Sequence, residues 1–496
     1  MAVNLNGSAT LPGWIAGGRG AAWAQAQHAR GRLTARERVE LLLDEGSCTE
    51  LGALAAGDEA QGGDGVVTVQ GRIGGRAVCV FAKDMSVGQG TLAGLHARRI
   101  CRLQEFALQS RIPIIGMFDS AGLRLEAGMS ALEGYGAIVR NTVAASGIVP
   151  QISLVLGGCA GADALLPPLS DFVFMANDDS SLFVSGPEVV KRVTGEAMDA
   201  SMLGGPEVHT RRSSIADGVC ANDVLAILQV RRLFGFLPAN QHAGMPRWSC
   251  LDDETREAPA LDTLRPASAS APYDMKELVR QVSDEGDFLE LQPDFAANVI
   301  TGLARLGGRT VGVVANQPSV LAGVLDGNAT RKAARLVRFC NAFGIAVVTF
   351  VDVPGFLPGA AEEHGGLARH ASELLAAYAS ASVPLVTVVV RDALGAAGVS
   401  MGSLAIGADL VYAWPDAQIG LLGAKGAAAL RSANGRALDA HDYAQRVLAP
   451  GAVAQLGAID DVIVPRQTRP RIVQALKGLA NKSCGWPWHE HPNYPL

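Results

Sequence analysis

The sequence predicts an α/β protein built from two copies of one mainly parallel sheet. Three observations carry that prediction. Apolar runs of five to eight residues alternate with amphipathic helical stretches, the pattern of βαβ units. The segment 65–81 (GVVTVQGRIGGRAVCVF) resembles 299–314 (VITGLARLGGRTVGVV), with the two GGR turns 233 residues apart. The same offset carries Asp119 onto Asp352, and both halves then read in the same order.

The elements follow from local pattern. Thr34–Leu43 has helical periodicity and reads as part of an N-terminal extension of about 60 residues. Each half opens with two β-rich runs around its GGR turn. A helix follows, with Leu92, Leu95, Arg99, Leu103 and Phe106 on one face in the first half. In the second half the face is Ala329, Ala333, Leu336, Val337, Cys340 and Phe343. Next comes a buried strand ending at Asp, Ile112–Phe118 or Ile345–Val351. Another strand, Gln151–Leu156 or Pro384–Val390, leads into a Gly/Ala-rich turn, and a last one covers Asp171–Met175 or Asp409–Ala413. Residues Gln241–Tyr273, rich in Pro, Ala, Ser and charge, read as the linker. The expected domains are 1–260 and 261–496.

Composition narrows the function classes. The chain has 496 residues, 49% of them hydrophobic, enough for two to three cores at roughly 150 residues per domain. A net charge of −6, from 42 Lys+Arg against 48 Asp+Glu, argues against nucleic-acid binding, which needs a cationic surplus. The eight cysteines include no C-x-x-C pair, so no redox or paired-Cys zinc motif is expected, and no metal site. The start MAVNLNGSATLPG has no basic and apolar export pattern, and the uncharged stretch Asn141–Ala162 is broken by Gly and Pro. The expectation is a cytoplasmic protein with no membrane segment.

The two Gly/Ala turns attract a chemical reading. They are GGCAGA (157–162) and ALGAAG (393–398). Small residues let a backbone approach a ligand closely, and amides at a helix start point outward toward negative charge. Two such amides aimed at one point form an oxyanion hole. The same turns serve equally as plain strand-to-helix connections, but their matching places in two repeats favour a shared role. Side-chain catalytic motifs are scarce. There is no H-E-x-x-H and no Walker loop. The G-x-S-x-G match GVSMG (398–402) lies seven residues beyond its strand, with no evident His or Asp partner for Ser400. Asp119 and Asp352 read as turn residues, and His96 as a packed helix residue.

Longer motifs point to a family. GRLTARERVELLLDEGS (31–47), DSAGLRLEAG (119–128), SGIVPQISLVLGGCAGA (146–162) and SLFVSGPEVVKRVTGE (181–196) lie in the first half. TFVDVPGFLPG (349–359), GLARHASELLAAYA (366–379), YAWPDAQIGLLGAKGA (412–427) and the closing HPNYPL (491–496) lie in the second. With these motifs in order over nearly its whole length, the chain resembles the carboxyltransferase (β) subunits of biotin-dependent acyl-CoA carboxylases, nearest the propionyl-CoA type.

The resemblance implies two tandem crotonase-like domains in a homohexamer, a dimer of trimers. The site is expected between the first domain of one subunit and the second of another. It implies that the amides of Gly161 and Ala162 hold the thioester carbonyl as its enolate, and those of Ala396 and Ala397 the ureido oxygen of biotin. Ala121, Gly122, Arg124, Cys159, Ala160, Asp163, Gly395, Gly398 and Val399 are the implied substrate-binding residues, Arg124 toward CoA phosphates. Biotin would arrive as carboxybiotin on a separate carrier protein, and the implied partners are an acyl-CoA or acyl-carrier thioester, the biotin carboxyl carrier and biotin carboxylase subunits. The same enolate also serves a decarboxylase acting on a malonyl-type thioester, and a non-catalytic assembly or acyl-thioester-binding subunit is the remaining alternative. The chain departs from the family pattern at both turns. Ala162 stands in place of a second Gly and Asp163 follows it. Gly398 replaces a usual Tyr, and Val399 a residue linked to acyl choice, which suggests a bulkier acyl group.

Overall fold

The computed structural model describes residues 25–29, 31–53, 64–177, 180–266, 271–433 and 438–482. The closing HPNYPL motif and Cys484 lie outside the described residues. The chain separates into two compact units, with the break at residues 235–242.

The first unit holds one eight-stranded sheet: β1 (Thr49–Glu50), β2 (Val66–Ile73), β3 (Arg76–Lys83), β4 (Ile114–Ser120), β5 (Gln151–Ala160), β6 (Phe172–Ala176), β7 (Ser181–Phe183) and β8 (Gly218–Cys220). Its order is β1-β2-β3-β4-β5-β6-β8, with β7 joined to the end of β5. The β1-β2-β3 edge is antiparallel and the rest parallel. The GGR turn makes the β2–β3 hairpin, where Ile73 faces Arg76. The parallel strands are apolar on both faces because helices cover them. Gly94–Ser110 buries His96, Ala97, Ile100, Leu103, Gln104 and Ala107, so its core face is rotated from the one read from the sequence: Leu103 is shared and Leu92 is buried just before the helix, but Leu95, Arg99 and Phe106 are only half-buried.

The second unit repeats the plan: β9 (Phe288–Leu291), β10 (Val299–Leu306), β11 (Arg309–Asn316), β12 (Ala346–Val353), β13 (Leu385–Leu394), β14 (Leu410–Ala413), β15 (Gln418–Gly420) and β16 (Asp461–Val462). The order is β9-β10-β11-β12-β13-β14-β16, and β15 pairs with β13. Helix Gly327–Ala342 buries Ala329, Ala333, Leu336, Val337 and Cys340.

One detail of both sheets positions the turns. β5 pairs with β6 over Ile152–Val155, then with β7 over Gly158–Ala160. β13 likewise leaves β14 after Val389 and takes up β15 from Asp392. Each strand changes neighbour shortly before its glycine turn, so each turn stands at a fork of its sheet. The close packing at the first fork requires glycine. A Cβ on Gly157 would lie 2.0 Å from Asp119 Oδ1.

The segment read as a linker is not one. Described residues from His242 onward pack within the second unit. Trp248 N donates to Gly308 O (2.9 Å), Arg469 Nη1 to Asp253 O (2.7 Å), and Ala258 N to Arg466 O (2.9 Å). Ala258, Leu261 and Tyr273 belong to the second core. Composition hid this because the segment is held by its backbone carbonyls and a few apolar anchors, which leave no period. The expected boundary at 260/261 thus falls inside the structural second unit.

Candidate active site

The first turn starts where β5 ends. Gly161 has φ +67°, a conformation that favours glycine, and opens the short 3₁₀ turn Gly161–Leu165. The first amides of such a turn have no partner within it. Gly161 and Ala162 are partly exposed, as is Ala160, while Cys159 is buried with its thiol pushed up by burial. Beside the turn runs the loop after β4. Leu92 N donates to Gly122 O and Arg124 N to Leu92 O, both at 2.9 Å. Ala121 is exposed and Gly122 buried. Arg124 Nε donates to Thr91 Oγ1 (3.3 Å), while its buried Nη2 has no hydrogen-bond partner among the described residues.

Asp163, one of the implied substrate-binding residues, is fully buried. It is not an N-cap, since Ala160 holds that position with no side-chain bond, and it does not meet solvent. Its carboxylate faces inward to Lys83 Nζ (2.5 Å) and Ser120 Oγ (2.7 Å). Sequence spacing gave no sign of this pairing across 80 residues. Asp119 is more than a turn residue. It is buried against Arg38 (3.0 Å), and burial raises its carboxyl despite that cation. His96 Nδ1 lies 3.0 Å from Asp64 O, and burial, reinforced by Lys83, lowers its imidazole well below the usual value. It is a neutral packed residue.

The second turn is built the same way. Gly395, with φ +59°, follows the last residue of β13 and opens helix Gly395–Ser400. Ala396 is exposed, Ala397 buried. Position by position after the strand, Gly395 and Ala396 match Gly161 and Ala162. A cavity of about 680 Å³ adjoins the turn, lined by Gly395, Ala396, Gly398, Val399, Ile419 and Leu421 among others. Gly398 is glycine for a packing reason. A Cβ there would lie 2.5 Å from the carbonyl carbon of Ala393, so in this backbone it is not a truncated aromatic that leaves space. Ser400 is buried with Oγ donating to Ala396 O (2.9 Å), as helix back-bonding and not as a nucleophile.

Asp392, which the sequence reading did not single out, sits three residues before Gly395. Its carboxyl is pushed up to about 6, by burial first and then by Asp352, against Arg391 and Arg265. Between about pH 4 and 6 the folded chain keeps a proton there that the unfolded chain has released. Stability therefore falls as pH rises through that window and stays lower above it. Asp392→Asn is expected to raise the unfolding free energy at pH 7.5 by on the order of 2 kcal/mol, and to leave it nearly unchanged at pH 3, below the window. Thermal melts at both pH values check this; an equal shift at both would exclude the linkage.

Two tandem units of this topology, each with a backbone-amide turn at the fork of its sheet, define a crotonase-like carboxyltransferase architecture. A carboxyl transferase domain model matches residues 26–494, and the chain belongs to that family, the carboxyltransferase subunits of acyl-CoA carboxylases. The propionyl-CoA carboxylase beta chain of Roseobacter denitrificans is 48% identical over 485 residues, covering 95% of each chain. The methylmalonyl-CoA decarboxylase subunit alpha of Veillonella parvula is 42% identical over 492 residues, 97% of each. The solved hexameric transcarboxylase 12S, with hydrolysed methylmalonyl-coenzyme A bound, superposes with a TM-score of 0.93 at 38% identity, covering 97% of this chain and 96% of that one. No helix among the described residues is long and apolar enough to cross a membrane.

Proposed function

We propose that this chain transfers a carboxyl group from carboxybiotin to the α carbon of an acyl-CoA, working as a homohexamer with separate biotin carrier and biotin carboxylase subunits in the cytoplasm. The observation that carries the reading is the repetition of one glycine turn at the same fork in both units. In the first, the amides of Gly161 and Ala162 donate to the thioester carbonyl oxygen. Their bonds strengthen as charge builds on that oxygen, which favours the enolate over the bound thioester. Arg124, half-buried in the loop beside the turn, brings a positive charge toward the CoA portion. Asp163 and Cys159 leave the list of direct substrate contacts, since both are buried.

The second turn suits biotin. Small residues leave its backbone open, and the adjoining cavity is lined mainly by apolar residues. Bound carboxybiotin supplies the carboxyl group and the base. The amides of Ala396 and Ala397 donate to the ureido oxygen, and Gly395 with its left-handed backbone sets their direction. Val399, 38% exposed at the cavity, borders the acyl group and selects for apolar chains. The active site is completed by a second subunit, as the exposed Leu125 and Met129 near the first turn and Leu421 near the second suggest.

The test is the partial reaction. Purified protein is mixed with malonyl-, methylmalonyl- and longer carboxyacyl-CoAs, with and without free biotin, and products are followed by mass spectrometry. Loss of the carboxyl group only with biotin is expected. Loss without biotin would favour a decarboxylase that needs no biotin. No loss with any substrate would leave a non-catalytic subunit.

A further inference from the structure

Behind the first turn lies a charge pair that the chemistry above does not use. Lys83 ends β3, and Asp163 is the third residue of the turn. Neither side chain has any exposure, and Nζ lies 2.5 Å from Oδ2. The same Oδ2 accepts from Ser120 Oγ at 2.7 Å, and Ser120 Oγ in turn accepts from Gly122 N at 3.0 Å. One carboxylate therefore joins the ends of β3 and β4, the start of the Ala121–Arg124 loop and the turn. Its other oxygen, Oδ1, is buried with no partner among the described residues.

Stability does not account for this arrangement. Taking two charges out of water is costly, and a well-packed apolar pair of similar size is often as stable. An oxyanion donor, by contrast, must be held to within about 0.5 Å and 10–20° of its working direction. The turn is short, five residues with a glycine start and no side-chain cap, and its other anchor is the buried Ala164. A fixed carboxylate beneath the turn adds a directional polar anchor to that apolar one. Left alone, its charge would oppose an oxyanion nearby, and Lys83 cancels it.

We propose that Lys83 and Asp163 are positioning residues for the first turn: their buried ion pair, tied through Ser120 to the amide of Gly122, fixes the aim of the Gly161 and Ala162 amides. This inference rests on the carboxyltransferase reading. Neither residue touches substrate. Both act through the backbone they hold.

The test compares the parent hexamer with Lys83→Met/Asp163→Leu, which replaces both charges by apolar groups of similar size, and with Ser120→Ala, which keeps the pair and removes only its tie to the loop. Three quantities are read: the melting temperature, kcat and KM for biotin-dependent decarboxylation of methylmalonyl-CoA, and hydrogen exchange of the 157–166 amides by mass spectrometry. In the double variant, kcat is expected to fall about 30-fold, with KM within about threefold and a melting temperature close to the parent's. Exchange in the turn is expected to quicken about tenfold. Ser120→Ala, the variant that folds should the double variant not, is expected to lose about tenfold in kcat. Parent-like kcat and exchange in either folded variant would overturn the proposal. An inactive parent would remove the carboxyltransferase reading instead; turn exchange then decides alone, faster exchange supporting the positioning role and unchanged exchange rejecting it.

Discussion

Gly161→Val is expected to lower kcat for carboxyl transfer by about 10²–10³ while the protein remains folded. The reason is backbone geometry, not space. A Cβ at Gly161 meets nothing within 4 Å, yet φ is +67°. A left-handed backbone costs an L-residue about 1–2 kcal/mol, and a β-branched one more. The turn relieves that strain by rotating the peptide, which turns the Gly161 and Ala162 amides away from the thioester oxygen. Substrate still binds through its remote portion, so the loss falls on kcat more than on KM. Gly46→Val is the matched control. Gly46 has φ +69° and also meets nothing within 4 Å, but it lies in an exposed turn outside the site. It carries the same strain and is expected to keep parent kcat. Equal losses in both variants would mean that strain itself, and not the aim of two amides, lowers activity. Steady-state kinetics with methylmalonyl-CoA and free biotin decide between these outcomes.

Local features were legible in the sequence because they are local. The GGR turns marked both hairpins, and Thr34 caps helix Ala35–Leu42 with its side chain on Glu37 N. The buried strands lie where the apolar runs put them, extended at their ends: Gln151–Leu156 runs on to Ala160 and Pro384–Val390 to Leu394. Those extensions contain Gly, Ala and Asp, so hydrophobic pattern stops short of them. They are strand because β7 and β15 pair with them, and strands of three residues carry no readable period. The glycine turns were visible as composition. What fixes them was not. Lys83 and Asp163 are 80 residues apart, and nothing in the local sequence of either announces the other. The same holds for Arg38, which sits in a helix whose other charges face water.

That arginine is where the largest loss of stability is expected. Arg38→Met is predicted to cost about 3–5 kcal/mol. Arg38 Nη1 lies 3.0 Å from Asp119 Oδ2 and Nε 2.8 Å from Asp223 Oδ2, while Nη2 donates to Leu156 O at 3.2 Å. The guanidinium thus ties helix Ala35–Leu42 to the end of β4, to the middle of β5 and to the start of helix Asp223–Phe236. Its side chain is 2% exposed and the two carboxylates 1% and 5%, so no water replaces it. Asp119 already has its carboxyl raised by burial, with Arg38 the first opposing influence. Removing that cation favours protonation of Asp119, and Asp223 loses its bond from Arg38 Nε while the 3.3 Å bond from Leu33 N remains. Arg36, two residues away on the same helix, is the contrast. Its side chain is 50% exposed beside Glu50, a surface pair of the kind worth about 0–1 kcal/mol, so Arg36→Met is expected to be nearly silent. Urea unfolding of the two variants measures the difference, and a loss below about 1 kcal/mol for Arg38→Met would show that the cluster is not what holds the helix to the sheet. Because β4 and β5 carry the loop and the turn of the first site, the same variant is expected to loosen the turn before it unfolds the unit: turn exchange should quicken at temperatures where the far-ultraviolet spectrum is still that of the folded chain.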